Sequence, residues 1–474
     1  MRRFLLFASL VVLGSGCTSS GSGPTGEFIW DLPAPPAADQ AVVDPARLHR
    51  FELSNGLRVL VLEDRKLPAI DMGLTVPRGI AIEATDEAGI AHFTAELMQR
   101  GAGGRDALEL AQAVDSLGAS MSVGAGWDSM AASVGGLSRD RAALFGILAD
   151  VVQRPTLDAG EAARVRAAQL ARLRQAGDDP GRLVAWTFFE TLYPDLRAGL
   201  PSSGTDESVS GLTSEDAAAF HERLFTPDGA ILWAAGDVSA EDFKNEAEAA
   251  FGSWSGAKLA EPAPALPQTG PRRVIVVDRP ELGQAQIAIG HDGIARTHPD
   301  RLELQMVNTV LGAAGFSSRL MVSVRAEEGL TYSIGSRFSQ RRTGGTFVVT
   351  TFAEAGRVGD LLDHVMGELE RIRTEPPSET EIGWAKSLRT GRFALALETS
   401  GAVAASLVDL DVYDLPRDTI DTYRGRIRAL EPAALAEAAR KAFHPDRAAI
   451  VVVGPAEVLV PQLEVYGDVE VRSP

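Results

Sequence analysis

Cysteine occurs once in this 474-residue chain, at Cys17, so no intrachain disulfide can form and no cysteine-based metal site can be built. Aromatic residues make up only 6% of the chain, which leaves no stacking platform for nucleobases. Positive charge is also short: 46 Lys and Arg stand against 64 Asp and Glu, giving a net charge of −18. No basic face is available for phosphates, and nucleic acid is excluded as a partner. The acidic balance suits either a solvated surface or a chamber that attracts basic peptides. Past the first 16 residues no apolar run reaches the roughly 18 residues expected of a membrane helix. What remains is an ordinary globular composition, 45% hydrophobic and 23% charged, with length enough for two to four domains.

The position of the single cysteine carries information. Met1-Arg2-Arg3 is a short positive region, Phe4–Leu13 is apolar, and Gly14-Ser15-Gly16-Cys17 follows. The apolar run is too short to span a bilayer and reads as a signal peptide over residues 1–16. It resembles a bacterial lipoprotein signal cut before a lipid-modified Cys17, with Gly14 where leucine is usual and Leu13 one step early. Plain secretory cleavage nearby is the alternative. Thr18–Gly26 is a Gly/Ser tether and Leu32–Pro45 a Pro/Ala-rich lead-in, so residues 17–46 read as anchor and tether. The expectation is an exported bacterial protein, a periplasmic lipoprotein held to a membrane.

Folded structure is expected from about Arg47. Phe51–Leu53 and Leu57–Leu62 flank Ser54-Asn55-Gly56, a hairpin signal. Ile70–Val76 reads as a strand, Ala88–Met98 as a helix, and Ala107–Leu117 as amphipathic. Met121–Val123 and Met130–Val134 read as a strand pair, and Ser138 as the cap of a helix ended by Pro155. Asp158–Gln175 and Arg182–Leu192 are further helices. An internal repeat organises the rest. Leu212–Gly236 and Leu430–Gly454 align without a gap at an offset of 218 residues, pairing Phe225 with Phe443, Pro227-Asp228 with Pro445-Asp446, and Gly236 with Gly454. Each copy is a helix, a Phe-x-Pro-Asp turn and a buried strand ending at glycine. Lys258–Arg272 between them is a Pro-rich linker. The chain therefore divides into homologous α+β halves, residues 47–257 and 273–474, with residues 258–272 as linker. A strand cluster followed by helices favours helices on one face of a mostly antiparallel sheet.

Chemistry, where it survives, centres on Gly89–Gly101, GIAHFTAELMQRG. This frame resembles the zinc helix of the pitrilysin/insulinase metallopeptidases, in the processing-peptidase branch. Members carry H-x-x-E-H there: histidines four residues apart share a helix face and hold Zn²⁺, and the glutamate activates water. Here His92 keeps the first ligand place, Ala95 stands where the base should be, and Glu96 replaces the second histidine. The resemblance implies a third ligand, a glutamate roughly 70–80 residues on. That window, Arg166–Ala176, contains no acid. No metal is therefore assigned to this chain.

The second half carries Leu311–Leu320, LGAAGFSSRL, then Val324-Arg325-Ala326-Glu327-Glu328-Gly329-Leu330-Thr331-Tyr332. It is similar to the family's second-half signature. In related heterodimers the pair matched by Arg325 and Tyr332 is donated to the other subunit's substrate site, where both can hydrogen-bond a developing oxyanion. The bland alternative pairs Arg325 with Glu327 or Glu328 and puts Tyr332 in the core. His49, His221, His291, His298 and His444 show no ligand spacing. The resemblance implies two α+β halves, each a sheet of about six strands backed by helices, facing each other like a clamshell, and a homologue without its own complete zinc site. Such a chain is expected to be inactive alone and to partner a homologous subunit bearing zinc, acting together on peptides. A binding or assembly protein with no protease partner, and a zinc hydrolase with an irregular ligand set, stay open as alternatives.

Overall fold

A computed structural model describes residues 41–473; the expected signal peptide, Cys17, the Thr18–Gly26 tether and most of the Pro/Ala-rich lead-in lie outside the described residues. The first half builds six strands: β1 (Leu48–Glu52), β2 (Arg58–Glu63), β3 (Ala69–Val76), β4 (Ser120–Ala125), β5 (Met130–Leu137) and β6 (Ile231–Gly236). The second builds β7 (Val274–Asp278), β8 (Gln284–Gly293), β9 (Ile334–Arg341), β10 (Gly344–Glu354), β11 (Ala449–Gly454) and β12 (Val469–Arg472). Their orders are β1-β2-β6-β3-β5-β4 and β12-β7-β11-β8-β10-β9. Pairing is mostly antiparallel; among the described strands only β2 with β6, and β7 with both β11 and β12, run parallel. The fold is α+β in two halves.

The repeat is reproduced residue for residue. Helix Ser214–Leu224 and strand β6 in one copy correspond to helix Pro432–Ala442 and strand β11 in the other, both at the same 218-residue offset. Each strand sits third in its sheet, parallel to the neighbour on one side and antiparallel on the other. Phe225 and Phe443 close the two helix-to-strand turns from within the cores.

Strand alternation assigns the two faces of each sheet. Val59, Val61, Met72 and Leu74 point to a core shared with the first half's helices, while Leu60, Leu62 and Ala235 point the other way. That second face is covered from the opposite half. Helix Ser400–Val412 lays Val403, Ala404, Leu407 and Leu410 on the first sheet, and helix Pro180–Leu192 lays Val184, Phe188 and Leu192 on Ile275, Val277, Val451 and Val453 of the second. Each half's main helices thus cover one face, and one exchanged helix covers the other. The continuous apolar runs of β7 and β11 follow, because a strand buried on both faces has no polar side to show. Polar contacts cross the same seam: Tyr193 donates to the Gly345 carbonyl at 2.8 Å, and Asp128 accepts from the Arg342 backbone N–H and the Tyr413 hydroxyl at 2.9 and 3.0 Å.

One local expectation is corrected. Ser138 does not cap the helix that runs over Arg141–Gln153; it opens a short 3-10 turn and its hydroxyl donates to Asp237. The carboxylate of Asp237, at the end of β6, is the stronger acceptor and takes the hydroxyl away from the helix end.

Candidate functional site

The motif helix runs from Ile90 to Met98 and starts from Gly89, whose φ of +95° is a left-handed conformation that favours glycine. A Cβ there would also meet the Ser203 carbonyl oxygen at 2.5 Å. The helix N-terminus is held by a buried carboxylate. Glu83 accepts the backbone N–H of Gly89 at 3.0 Å and of Ala91 at 2.8 Å, satisfying donors that a helix start leaves free. Arg197 Nε donates to the same carboxylate at 2.6 Å, and its Nη atoms reach the carbonyls of Leu200 and Ser202. Burial pushes the Glu83 carboxyl up while Arg197 and the two backbone N–H groups pull it down. Neither residue was singled out by the sequence, where an isolated Glu and an isolated Arg 114 positions apart carry no visible link.

On this anchored helix, His92 and Glu96 sit one turn apart and both are partly buried. Burial holds the His92 imidazole below its ordinary range, with Glu96 opposing. Ala95 is only 2% exposed and packs into the first half's core. The long helix Ala159–Asp178 brings the Arg166–Ala176 window alongside. Gln169 from this window donates to the carbonyls of Gly89 and Ser203 at 3.2 and 2.8 Å, tying the two helices together. One turn on, Arg172 Nη1 lies 3.7 Å from Glu96 Oε1, and Arg100 closes on the other oxygen at 4.0 Å.

These residues do not fit a zinc ion. A divalent cation between His92 and Glu96 would sit against the Arg172 guanidinium, and Ala95 has no group to take a proton from water. Among the described residues no cluster of three His, Cys, Asp or Glu side chains is placed to hold a metal. Arg172 is the residue that sequence reasoning missed; its signal was an arginine inside the window where an acid was sought.

The second-half residues lie elsewhere, and no described hydrogen bond, ion pair or ring contact joins them to His92 or Glu96. The helix Arg301–Asn308 continues into a π-helical turn, Thr309–Ala313, and a second π-helical segment spans Met321–Glu327. Such turns are rare and gather at functional sites. Arg325 stands on the second segment with its Cζ 4.6 Å from the ring centroids of both Tyr332 and Phe316. Tyr332 is 73% exposed, so it does not fill the core. Among the described contacts Arg325 pairs with neither Glu327 nor Glu328. Behind the loop, Arg319 makes a bidentate bond to Glu381 at 2.7 and 2.9 Å, which fixes the segment on helix Glu379–Ala396 and draws the Glu381 carboxyl down to about 2.

Residues 58–204 match the sequence pattern described as insulinase, peptidase family M16, and residues 211–388 match that described as the peptidase M16 inactive domain. The chain belongs to the insulinase family. Family relatives include an uncharacterized zinc protease of Streptomyces coelicolor, 28% identical over 86% of this chain and 90% of that protein. Another, of Mycobacterium tuberculosis, is 29% identical over 78% of this chain and 83% of its own. Among solved family structures, a peptidase M16 inactive domain from Pseudomonas fluorescens superposes with a TM-score of 0.81 at 25% identity, covering 86% of this chain and 98% of that one. A Helicobacter pylori protease shares the fold with a TM-score of 0.80 at 20% identity, covering 86% and 99%. In this chain the motif helix is anchored by Glu83 and Arg197, and Ala95 and Glu96 stand where the family resemblance implies a base and a second ligand.

Proposed function

We propose that this chain is the non-catalytic subunit of a heterodimeric zinc metallopeptidase acting on peptides. The observation that carries the reading is the Arg172–Glu96 contact beside Ala95: an anchored motif helix whose metal grip is replaced by an ion pair and whose base is a core methyl group. A homologous subunit with an intact H-x-x-E-H would bring the zinc. This chain would contribute the half-buried Arg325 guanidinium and the hydroxyl of the exposed Tyr332, two donors suited to a carbonyl oxygen that gains negative charge. Membrane attachment through a lipid on Cys17 belongs to the same proposal.

The test is zinc content and peptide cleavage by the purified chain alone, by a homologue with an intact motif encoded beside it, and by the two together. Cleavage that needs both chains supports the reading. Tight zinc and turnover in this chain alone would overturn it, and a complex whose activity is indifferent to this chain would leave an assembly role.

A further inference from the structure

The Arg325 side chain is held by two rings and by nothing else described. The Cζ stands 4.6 Å from the Phe316 centroid and 4.6 Å from the Tyr332 centroid, both within the distance at which a ring face attracts a cation. Phe316 remains 74% exposed and Tyr332 73% exposed, so neither ring is placed there by burial in a core. Two acids, Glu327 and Glu328, follow within three residues, yet no ion pair with Arg325 is described. A guanidinium that ignores adjacent carboxylates and keeps its N–H groups uncommitted is a donor held ready for an outside acceptor.

Phe316 owes its outward position to the loop. Gly315 before it has φ +70°, and the Ser318 hydroxyl and backbone N–H both donate to the Gly315 carbonyl, at 2.7 and 3.0 Å. This turn lies between the two π-helical segments, and Arg319 fastens its far end to Glu381. The ring is therefore presented by a closed, pinned turn.

We infer that Phe316 is a positioning residue for the Arg325/Tyr332 pair: opposite Tyr332, it fixes the guanidinium so that its N–H groups point to an incoming peptide carbonyl. The inference rests on the donated-pair reading and adds a member to it. Fixing a long, rotamer-rich side chain before the acceptor arrives removes an ordering cost that binding or reaction would otherwise carry. A peptide substrate approaching this donor also meets two exposed aromatic faces, which favours apolar side chains next to the carbonyl.

Two measurements test it. In the isolated chain labelled at arginine, the Arg325 Hε resonance, assigned by its disappearance in Arg325→Lys, should show a ring-current shift. Phe316→Leu should move it downfield and Phe316→Tyr should keep it. With a zinc-bearing homologue, Phe316→Leu should lower kcat about fivefold, the scale of one exposed cation–π contact, with KM and complex formation unchanged and Phe316→Tyr restoring the rate. An Hε resonance that Phe316→Leu leaves in place overturns the inference. So does an intact kcat in Phe316→Leu where Arg325→Lys lowers it, because the pair then works without the clamp. If Arg325→Lys also leaves kcat intact, the donated-pair reading has itself failed and the positioning role goes with it.

Discussion

Arg172 Nη1 faces Glu96 Oε1 across 3.7 Å, joining the long helix to the motif helix where a family metallopeptidase would bring ligands together. Both side chains keep solvent contact, 63% and 35%, so the pair contributes little to stability. Its consequence is electrostatic. A fixed positive charge at this point opposes a second, divalent one, and restoring the helix motif without removing it leaves the site hostile to metal.

Metal content should follow that logic. The wild-type chain and the double variant Ala95→Glu/Glu96→His are expected to retain no stoichiometric zinc after dialysis. Adding Arg172→Glu supplies a third carboxylate-or-imidazole ligand and removes the cation, so the triple variant should hold close to one zinc per chain. Metal analysis of the three proteins decides it; a double variant that binds as tightly as the triple would show that Arg172 is irrelevant.

The buried Glu83–Arg197 pair should matter far more for stability. Arg197→Met strips the guanidinium from a carboxylate with a fully buried side chain and frees two loop carbonyls, and a loss of about 3–5 kcal/mol is expected in urea unfolding. Combining it with Glu83→Gln should recover part of that loss, since an amide in place of the carboxylate leaves no unpaired charge. Equal losses in the single and double variants would mean that the loop carbonyls, and not the charge, dominate.

Acid should weaken the second half through His291. Burial first, and then the His444 backbone N–H that donates to Nε2, hold the imidazole neutral against the opposing Asp292 carbonyl, with a folded pKa of about 4 against an ordinary 6.5. The unfolded chain therefore takes up a proton first as pH falls. Stability from this group is full above about pH 6.5 and is lost down to about pH 4, amounting to about 3 kcal/mol. Urea titrations across that range read it directly, and His291→Gln should flatten the slope.

How much of this was legible in the sequence differs by element. The repeat at Leu212 and Leu430 was visible because both copies bury the same helix-turn-strand face, and its register survives intact in β6 and β11. The loss of the base at Ala95 was equally plain, since it is a single substitution inside a local motif. The exchanged helices Pro180–Leu192 and Ser400–Val412 could not be assigned to the opposite sheet, because an apolar helix face does not name the surface it covers. Glu83–Arg197 and Arg172–Glu96 were hidden for a related reason: an ion pair made over a long sequence separation leaves no periodicity. Phe316 escaped because an aromatic in a glycine-rich loop reads as core until its exposure is known.

Anchoring by lipid gives a short test of its own. If Cys17 is the mature N-terminus, mass spectrometry of the membrane fraction should find it acylated, with more than one chain because a single one anchors only marginally. An unmodified terminus downstream of Cys17 would remove the membrane from the proposal without touching the site.

The sharpest expectation concerns Tyr332. Its hydroxyl makes no described hydrogen bond, its ring is 73% exposed, and its one recorded partner is the Arg325 guanidinium stacked on its face. Tyr332→Phe removes the hydroxyl and keeps the ring, so fold, clamp and subunit assembly should all survive. If the hydroxyl is a donor to a developing oxyanion at a site completed by a second chain, its loss should cost about 10²–10³ in kcat, or ~2.7–4 kcal/mol. Arg325→Ala is the less clean comparison, since it removes packing between two rings as well as charge. The measurement is kcat for complexes of wild type and Tyr332→Phe with a zinc-bearing homologue, beside their assembly by gel filtration. A large fall in kcat with assembly intact supports the donor role. Unchanged turnover in an intact complex would leave the Tyr332 ring as a wall for Arg325 and its hydroxyl without a part in the chemistry.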